Sequence, residues 1–359
     1  MRAMAGPHHA MPIDATAAAC LSSDGDDIHE YPVRFAVFIL ACTLAGAVAA
    51  PADTTSERGA SILIFPKVVS DGGGDTLLQL ANVSEEGRID AFCTYVDGRV
   101  GWQSSGFSLR LNAAQPTLWS AADGRPAGDA GAAIPAAPAD FRGELLCVEI
   151  DPTGTPASLN RLVGRATLLP SDGAVAAYAA IGLSGSGFND GDEVLCLGDA
   201  QSDTCFLGEY AACPATWTLS HRAEGAIDEQ LGAGSAVATR LTVVPCSQNV
   251  RDGDPATVQV RFDVTTELEQ RFTTTTPVTC WADLALADLG DGLFDRAMLG
   301  ADVLQTQLAP IDGSGGFVVL GEVERRSSGG GVVSRTLPPL HHLGAAVAGD
   351  VITLPMGRP

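Results

Sequence analysis

The sequence predicts an all-β protein built as two tandem β-sandwich domains of immunoglobulin-like type. Three observations lead there. Short apolar or alternating runs recur along the chain, Gly/Asp/Asn/Pro clusters separate them, and no amphipathic helical stretch longer than about three turns carries proper caps. Evenly spaced short strands without helices fit sandwiches or barrels and argue against a βαβ sheet. An apolar content of 46% is ample for packed cores.

The first element is a leader. Residues 33–50 read VRFAVFILACTLAGAVAA. The apolar part, from Phe35 to Ala50, would span about 24 Å as a helix, short of the hydrocarbon core of a bilayer. It follows a basic residue, Arg34, and weakens into small residues, which is the three-part plan of a secretory signal peptide. Ala47-Val48-Ala49 fits the cleavage motif, so the cut is expected between Ala49 and Ala50, with Ala50-Pro51-Ala52 as the second choice. Cys42 does not make this a lipoprotein signal, because Leu40 is bulky and the apolar run continues beyond the cysteine. Residues 1–32 carry Asp24, Asp26, Asp27 and Glu30 against Arg2, a poor front for a signal. They are expected to be a disordered extension, or to lie upstream of a true start at Val33 read from a GTG codon. Cys20, His8 and His9 would then lie outside the protein. The mature chain is expected to be exported, periplasmic or extracellular, with no integral membrane span.

Two domains are expected after the leader, 56–208 and 209–359. The clearest strand is ATVQVRFDV at 256–264, with Val258, Val260, Phe262 and Val264 on one face and Gln259, Arg261 and Asp263 on the other. ILIFPKVVSDGGGDTLLQLANV followed by AFCTYVD is echoed by LTVVPCSQNVRDGDPATVQVRFDV followed by VTCWADL. Each copy has an apolar strand ending in proline (Pro66, Pro245), then a Gly/Asp turn, an alternating strand, and a cysteine near an aromatic (Cys93 with Tyr95, Cys280 with Trp281). The echo suggests an internal duplication.

Seven cysteines follow the leader, and in an exported chain they read first as disulfides. Candidates are Cys93, Cys147, Cys196, Cys205, Cys246 and Cys280. Cys147 has no counterpart in the second copy, so Cys93–Cys147 would be private to the first domain. Cys196 and Cys205 flank a short Gly/Asp-rich loop and would close it. Cys280 would pair with Cys246 or Cys213, with Cys213 favoured as the spare thiol. No C-x-x-C occurs, which argues against a thioredoxin-like redox site or a zinc ribbon.

The segments DFRGELLCVEIDPTG, LRLNAAQPTLW and RLTVVPCSQN resemble uncharacterised exported β-rich proteins of Gram-negative bacteria. The resemblance implies export and β architecture and carries no activity.

Charge narrows the partners. The formal net charge is −22, from 21 Lys+Arg and 43 Asp+Glu, and Lys67 is the sole lysine. Such a surface repels nucleic acid, so no nucleic-acid partner is expected. A glycan or another envelope component remains open.

No motif names a reaction. IDGSGGF at 311–317 resembles the nucleophile segment of trypsin-like proteases, but Gly313 precedes Ser314 and Asp312 stands one place too early. GLSGSG at 182–187 lacks the nucleophile-elbow spacing. His221, His341 and His342 fall in no histidine motif of that family, and adjacent strand residues such as His341 and His342 point to opposite faces. The turns FNDGDE (Asn189, Asp190, Asp192, Glu193) and DLGDGLFD (Asp288, Asp291, Asp295) could offer oxygens to calcium, although Asp and Gly are also what tight turns require. Trp102, Trp119, Trp217 and Trp281 could stack sugars or fill cores. The expectation is therefore a non-enzymatic, disulfide-stabilised structural or binding protein, with no catalytic residue, cofactor or metal assigned. The alternatives are a carbohydrate- or calcium-binding module, and a hydrolase whose carboxylates meet only on folding.

Overall fold

The computed structural model describes residues 54–356 apart from 56–57, 100–101, 129–130, 188, 201–204, 206–207, 229, 312–314 and 343–348. The leader, the cleavage residues Ala49 and Ala50 and the segment 1–32 lie outside the described residues, as do Asp312 and Ser314.

Residue pattern makes the strands. Thr257–Thr266 buries Val258, Val260, Phe262 and Val264 and exposes Gln259 and Arg261. Helix among the described residues is confined to Arg296–Leu299 and two 3-10 turns. That single helical turn is capped at both ends. The Asp295 carboxylate accepts from the Ala297 N–H at 2.6 Å, and Gly300 closes the helix in the left-handed region.

These strands do not assemble into two tandem immunoglobulin-like sandwiches, and the sandwich duplication falls with them. They form five small sheets in a five-bladed, propeller-like arrangement. The largest runs, edge to edge, Thr54–Thr55, Ile181–Leu183, Ile62–Ser70, Phe141–Ile150, Ile89–Asp97 and Ser104–Leu111. A four-stranded sheet holds Pro116–Ser120, Gly74–Asn82, Leu162–Pro170 and Ala176–Ala179. A five-stranded sheet holds Arg271–Thr279, Thr257–Thr266, Val303–Pro310, Trp217–Arg222 and His341–His342. A second four-stranded sheet holds Ala282–Ala285, Ala236–Pro245, Phe317–Arg326 and Val332–Thr336. The smallest sheet centres Asp350–Thr353 between Val194–Leu197 and Gln248–Asn249. Sheets are interleaved along the chain, so a strand's neighbour in space is often distant in sequence.

The six-stranded sheet explains why the sandwich expectation fails. A free-standing sandwich keeps the outer face of each sheet wet, so its strands alternate. Ile62–Ser70, Ile89–Asp97 and Phe141–Ile150 are instead buried almost residue by residue. One face presents Leu63, Phe65, Tyr95 and Leu145 to Leu78, Leu80 and Trp119 of the first four-stranded sheet. The other presents Ile62, Ile64, Val96, Leu146 and Val148 to a core shared with Leu219, Val243, Phe262 and Phe317. Residues Pro51–Pro359 form one compact unit.

Three disulfides cross this unit: Cys93–Cys147, Cys196–Cys205 and Cys213–Cys246. The first joins register partners on adjacent central strands. The expected roles of Cys213 and Cys280 are exchanged. Cys213 is bonded to Cys246, and Cys280 is a buried free thiol. Cys280 sits just past the end of Arg271–Thr279 in a left-handed backbone conformation, and its Sγ faces the Asp97 carbonyl of the six-stranded sheet. Burial, helped by nearby Glu144, pushes this thiol's pKa up, so it stays protonated and inert.

Candidate functional site

Two clefts collect polar side chains, and each is positioned by the six-stranded sheet. The first begins at a bulge. Pairing between Ile62–Ser70 and Phe141–Ile150 shifts register between Phe65 and Val68, so Pro66 and Lys67 leave the ladder. Their backbone groups find side-chain partners instead. The Pro66 carbonyl accepts from Trp281 Nε1 at 2.7 Å, the Lys67 N–H donates to the Tyr178 hydroxyl at 3.2 Å, and that hydroxyl donates to the Lys67 carbonyl. The bulge turns the lone lysine into a charged cluster. Lys67 Nζ lies 3.1 Å from Asp283 and 2.7 Å from Glu322. Arg240 also holds Asp283, while Arg335 joins Glu322, Glu324 and Asp172. A cavity of about 240 Å³ opens beside these groups. Burial would raise the Asp283 carboxyl, but Lys67 and Arg240 outweigh it and hold it below the ordinary range. Lys67, Arg240, Arg335, Asp283, Glu322 and Glu324 each face an opposite charge, and Asp75 accepts from Ser120 and two backbone N–H groups, so the cluster pins sheets together.

The second cleft lies on the same sheet near its Ser104–Leu111 edge and has a volume of about 600 Å³. Asp90 and Phe92 project from Ile89–Asp97 into it, opposite Arg110 and Ser108 of the edge strand. Arg110 clasps Asp90 with two hydrogen bonds, 2.7 and 3.3 Å. The Asp90 hydrogen bonds raise the Arg110 pKa further, so this guanidinium stays charged. Phe92 is half-buried, and its ring tip rests on Gly106: a Cβ there would come within 2.6 Å of Phe92 Cζ. Only glycine lets the ring lie across the neighbouring strand. Asn112 and Gln115 form a polar rim, and Ile150, Pro152 and Met356 an apolar wall. Asp151 at the far side is occupied by its own turn. It accepts from the Thr153 N–H and hydroxyl and the Thr155 N–H, and the Thr153 hydroxyl chiefly lowers its pKa.

The residues singled out from sequence are scattered. His221 is buried and bonds Thr306 Oγ1 at 2.8 Å, and burial drives its pKa down to about 4. His341 and His342 form a short exposed strand, with the His342 ring against Trp217. In FNDGDE, Asn189, Asp190 and Asp192 each accept a backbone N–H two residues on, from Gly191, Asp192 and Val194, so these oxygens build consecutive turns. Asp295 is the helix cap. Among the described residues no group of three or more His, Cys, Asp or Glu has metal-holding geometry. Trp119, Trp217 and Trp281 donate to Tyr95, the Phe317 carbonyl and the Pro66 carbonyl, and the first two are buried with Trp102. They form no exposed platform. Phe92 and Gly106 carry no signal of their own in sequence; only the strand pairing brings them together.

Burial raises six acids among the described residues, Glu144, Glu149, Asp192, Glu209, Glu224 and Asp350, and carries Glu144 up to about 8 and Glu224 to about 7. Glu144 and Glu224 are the two raised furthest. Neither lines either cleft. No family model, curated protein or solved structure matches the chain.

Proposed function

We propose that the chain is an exported, disulfide-stabilised protein with a non-enzymatic binding role in the envelope or outside the cell. The covalent framework carries this reading. Three disulfides suit an oxidising compartment and are rare where thiols are kept reduced. The leader at 33–50 supplies the route out. The Phe92 cleft supports binding, because it has the size of a small-molecule site and its charged groups are already paired or held in a turn. No helix among the described residues is long and apolar enough to cross a membrane. The calcium alternative loses support because Asn189, Asp190 and Asp192 each commit one oxygen to a backbone turn, Glu193 faces Arg251, and no group of three or more acidic, His or Cys residues among the described residues has metal-holding geometry. The carboxylate hydrolase loses support because the two acids raised furthest by burial line neither cleft.

Cell fractionation with N-terminal sequencing tests the reading. The expected result is recovery from periplasm or medium, starting at Ala50. Recovery from the cytosol with the leader attached would overturn it.

A further inference from the structure

This inference rests on the binding reading above and names the ligand class. We infer that the Phe92 cleft binds a neutral saccharide, with Phe92 as a stacking platform and Ser108, Arg110, Asn112 and Gln115 as the hydrogen-bonding rim. The platform is packed in place by the fold itself, its ring against the apolar core and its tip over Gly106. The Phe92 ring tip is held from beneath by the Gly106 backbone, so little freedom remains to be lost on stacking. Pyranose C–H groups carry slight positive charge and meet the negative face of an aromatic ring favourably. Sugar hydroxyls around the ring edge both donate and accept, as the side chains of Asn112 and Ser108 do; Gln115 Oε1 already accepts from the Asn112 N–H at 2.8 Å, and Arg110 donates only.

Charge excludes the ionic ligands. Asp90 and Arg110 neutralise one another, and the Asp151 Oδ1 atom already receives three donors. A chain of net charge −22 repels anions, and among the described residues no group of three or more His, Cys, Asp or Glu has the geometry to hold a metal cation. An extended peptide pairing with the Ser104–Leu111 edge is the competing occupant. The loop at Gly131 and Ala132 counts against it. A Cβ at Gly131 would lie 3.8 Å from the Arg110 carbonyl, so backbone already passes that edge at the level of the cleft.

Calorimetric titration of the full mature chain with cellotetraose, maltotetraose, chitotetraose and tetragalacturonate tests the assignment, beside a panel of extended peptides. At least one neutral tetrasaccharide is expected to bind and the galacturonate to fail. Phe92→Ala should weaken binding about tenfold or more. Because Phe92 also packs on Gly106, Ser108→Trp serves as the second variant. Ser108 is an exposed strand position opposite Phe92, where a large aromatic fills the cleft without disturbing the core. It should abolish binding while near-ultraviolet circular dichroism stays native. Failure of all three neutral sugars, or binding indifferent to both variants, would overturn the saccharide assignment. Peptide binding that Ser108→Trp abolishes would overturn it too but leave the binding reading standing. If no sugar or peptide binds in a way that either variant weakens, both fall.

Discussion

Glu144 stands opposite Val96 on the face of the six-stranded sheet that the second core covers. One oxygen accepts from Gln248 Nε2 at 2.6 Å, and the other has no partner among the described residues. Burial pushes its pKa up to about 8, against the pull of Gln248. An acid raised in this way binds a proton in the folded state that the unfolded chain has released. Stability therefore falls as pH rises from the unfolded value of 4.5 towards about 8, and levels off above it. Glu144→Gln keeps the shape and removes the titration. In urea melts at a series of pH values, the stability gap should shift towards the variant by a few kcal/mol between about pH 5 and pH 8, at ~1.4 kcal/mol per unit. Parallel curves would show that Glu144 does not titrate there. His221 acts on the acid flank with the opposite slope, because its pKa is lowered to about 4 and stability is lost as pH falls from 6.5 towards that value. Lys67 is a different case, a cation between two carboxylates. Lys67→Met keeps the stem's volume but leaves Asp283 and Glu322 short of a counter-charge, and should destabilise by about 3–5 kcal/mol in the same melts.

The strand Ile62–Ser70 shows how one irregularity can organise neighbours. Its bulge at Pro66 and Lys67 needs Tyr178 and Trp281 to satisfy the freed backbone groups, and so ties it to distant segments. Next to it, Cys93–Cys147 staples Ile89–Asp97 to Phe141–Ile150 across a separation of 54 residues. Replacing both cysteines by alanine should cost roughly 4 kcal/mol of unfolding free energy, read from the denaturation midpoint. Much of this level was legible in sequence. Period-two alternation marks 256–264 because one face of that strand is wet. Alternation cannot say which sheet a strand joins, however. The overlooked signal was the continuous apolar character of SILIF and GELLCVEI, which marks strands covered on both faces. Reading the cysteines by analogy between two copies misplaced Cys280 for the same reason, since its surroundings are set by the six-stranded sheet and not by a repeat. The Phe92 cleft was illegible because its parts meet through cross-strand register, Phe92 with Ser108 and Asp90 with Arg110.

Because the three central strands of the six-stranded sheet are buried on both faces, neither half of the molecule is expected to stand alone. Residues 56–208 expressed alone would expose Ile62, Ile64, Leu146 and Val148. Contiguous apolar patches of that kind favour aggregation. The whole chain is expected to unfold in one transition, and neither 56–208 nor 209–359 to give a dispersed NMR spectrum. Two resolved transitions, or a folded half, would contradict the shared core. The covalent framework also belongs to the molecule as a whole, since it links the compartment to the fold and to the proposed role. Thiol counting by intact mass on protein isolated under acid quench, alkylated before and after unfolding, tests that link most directly. The expected result is no label on the native protein and a single label, on Cys280, after unfolding without reductant. Labelling of every cysteine in the unfolded chain would mean that no bridge had formed, and the exported, disulfide-stabilised reading would be wrong.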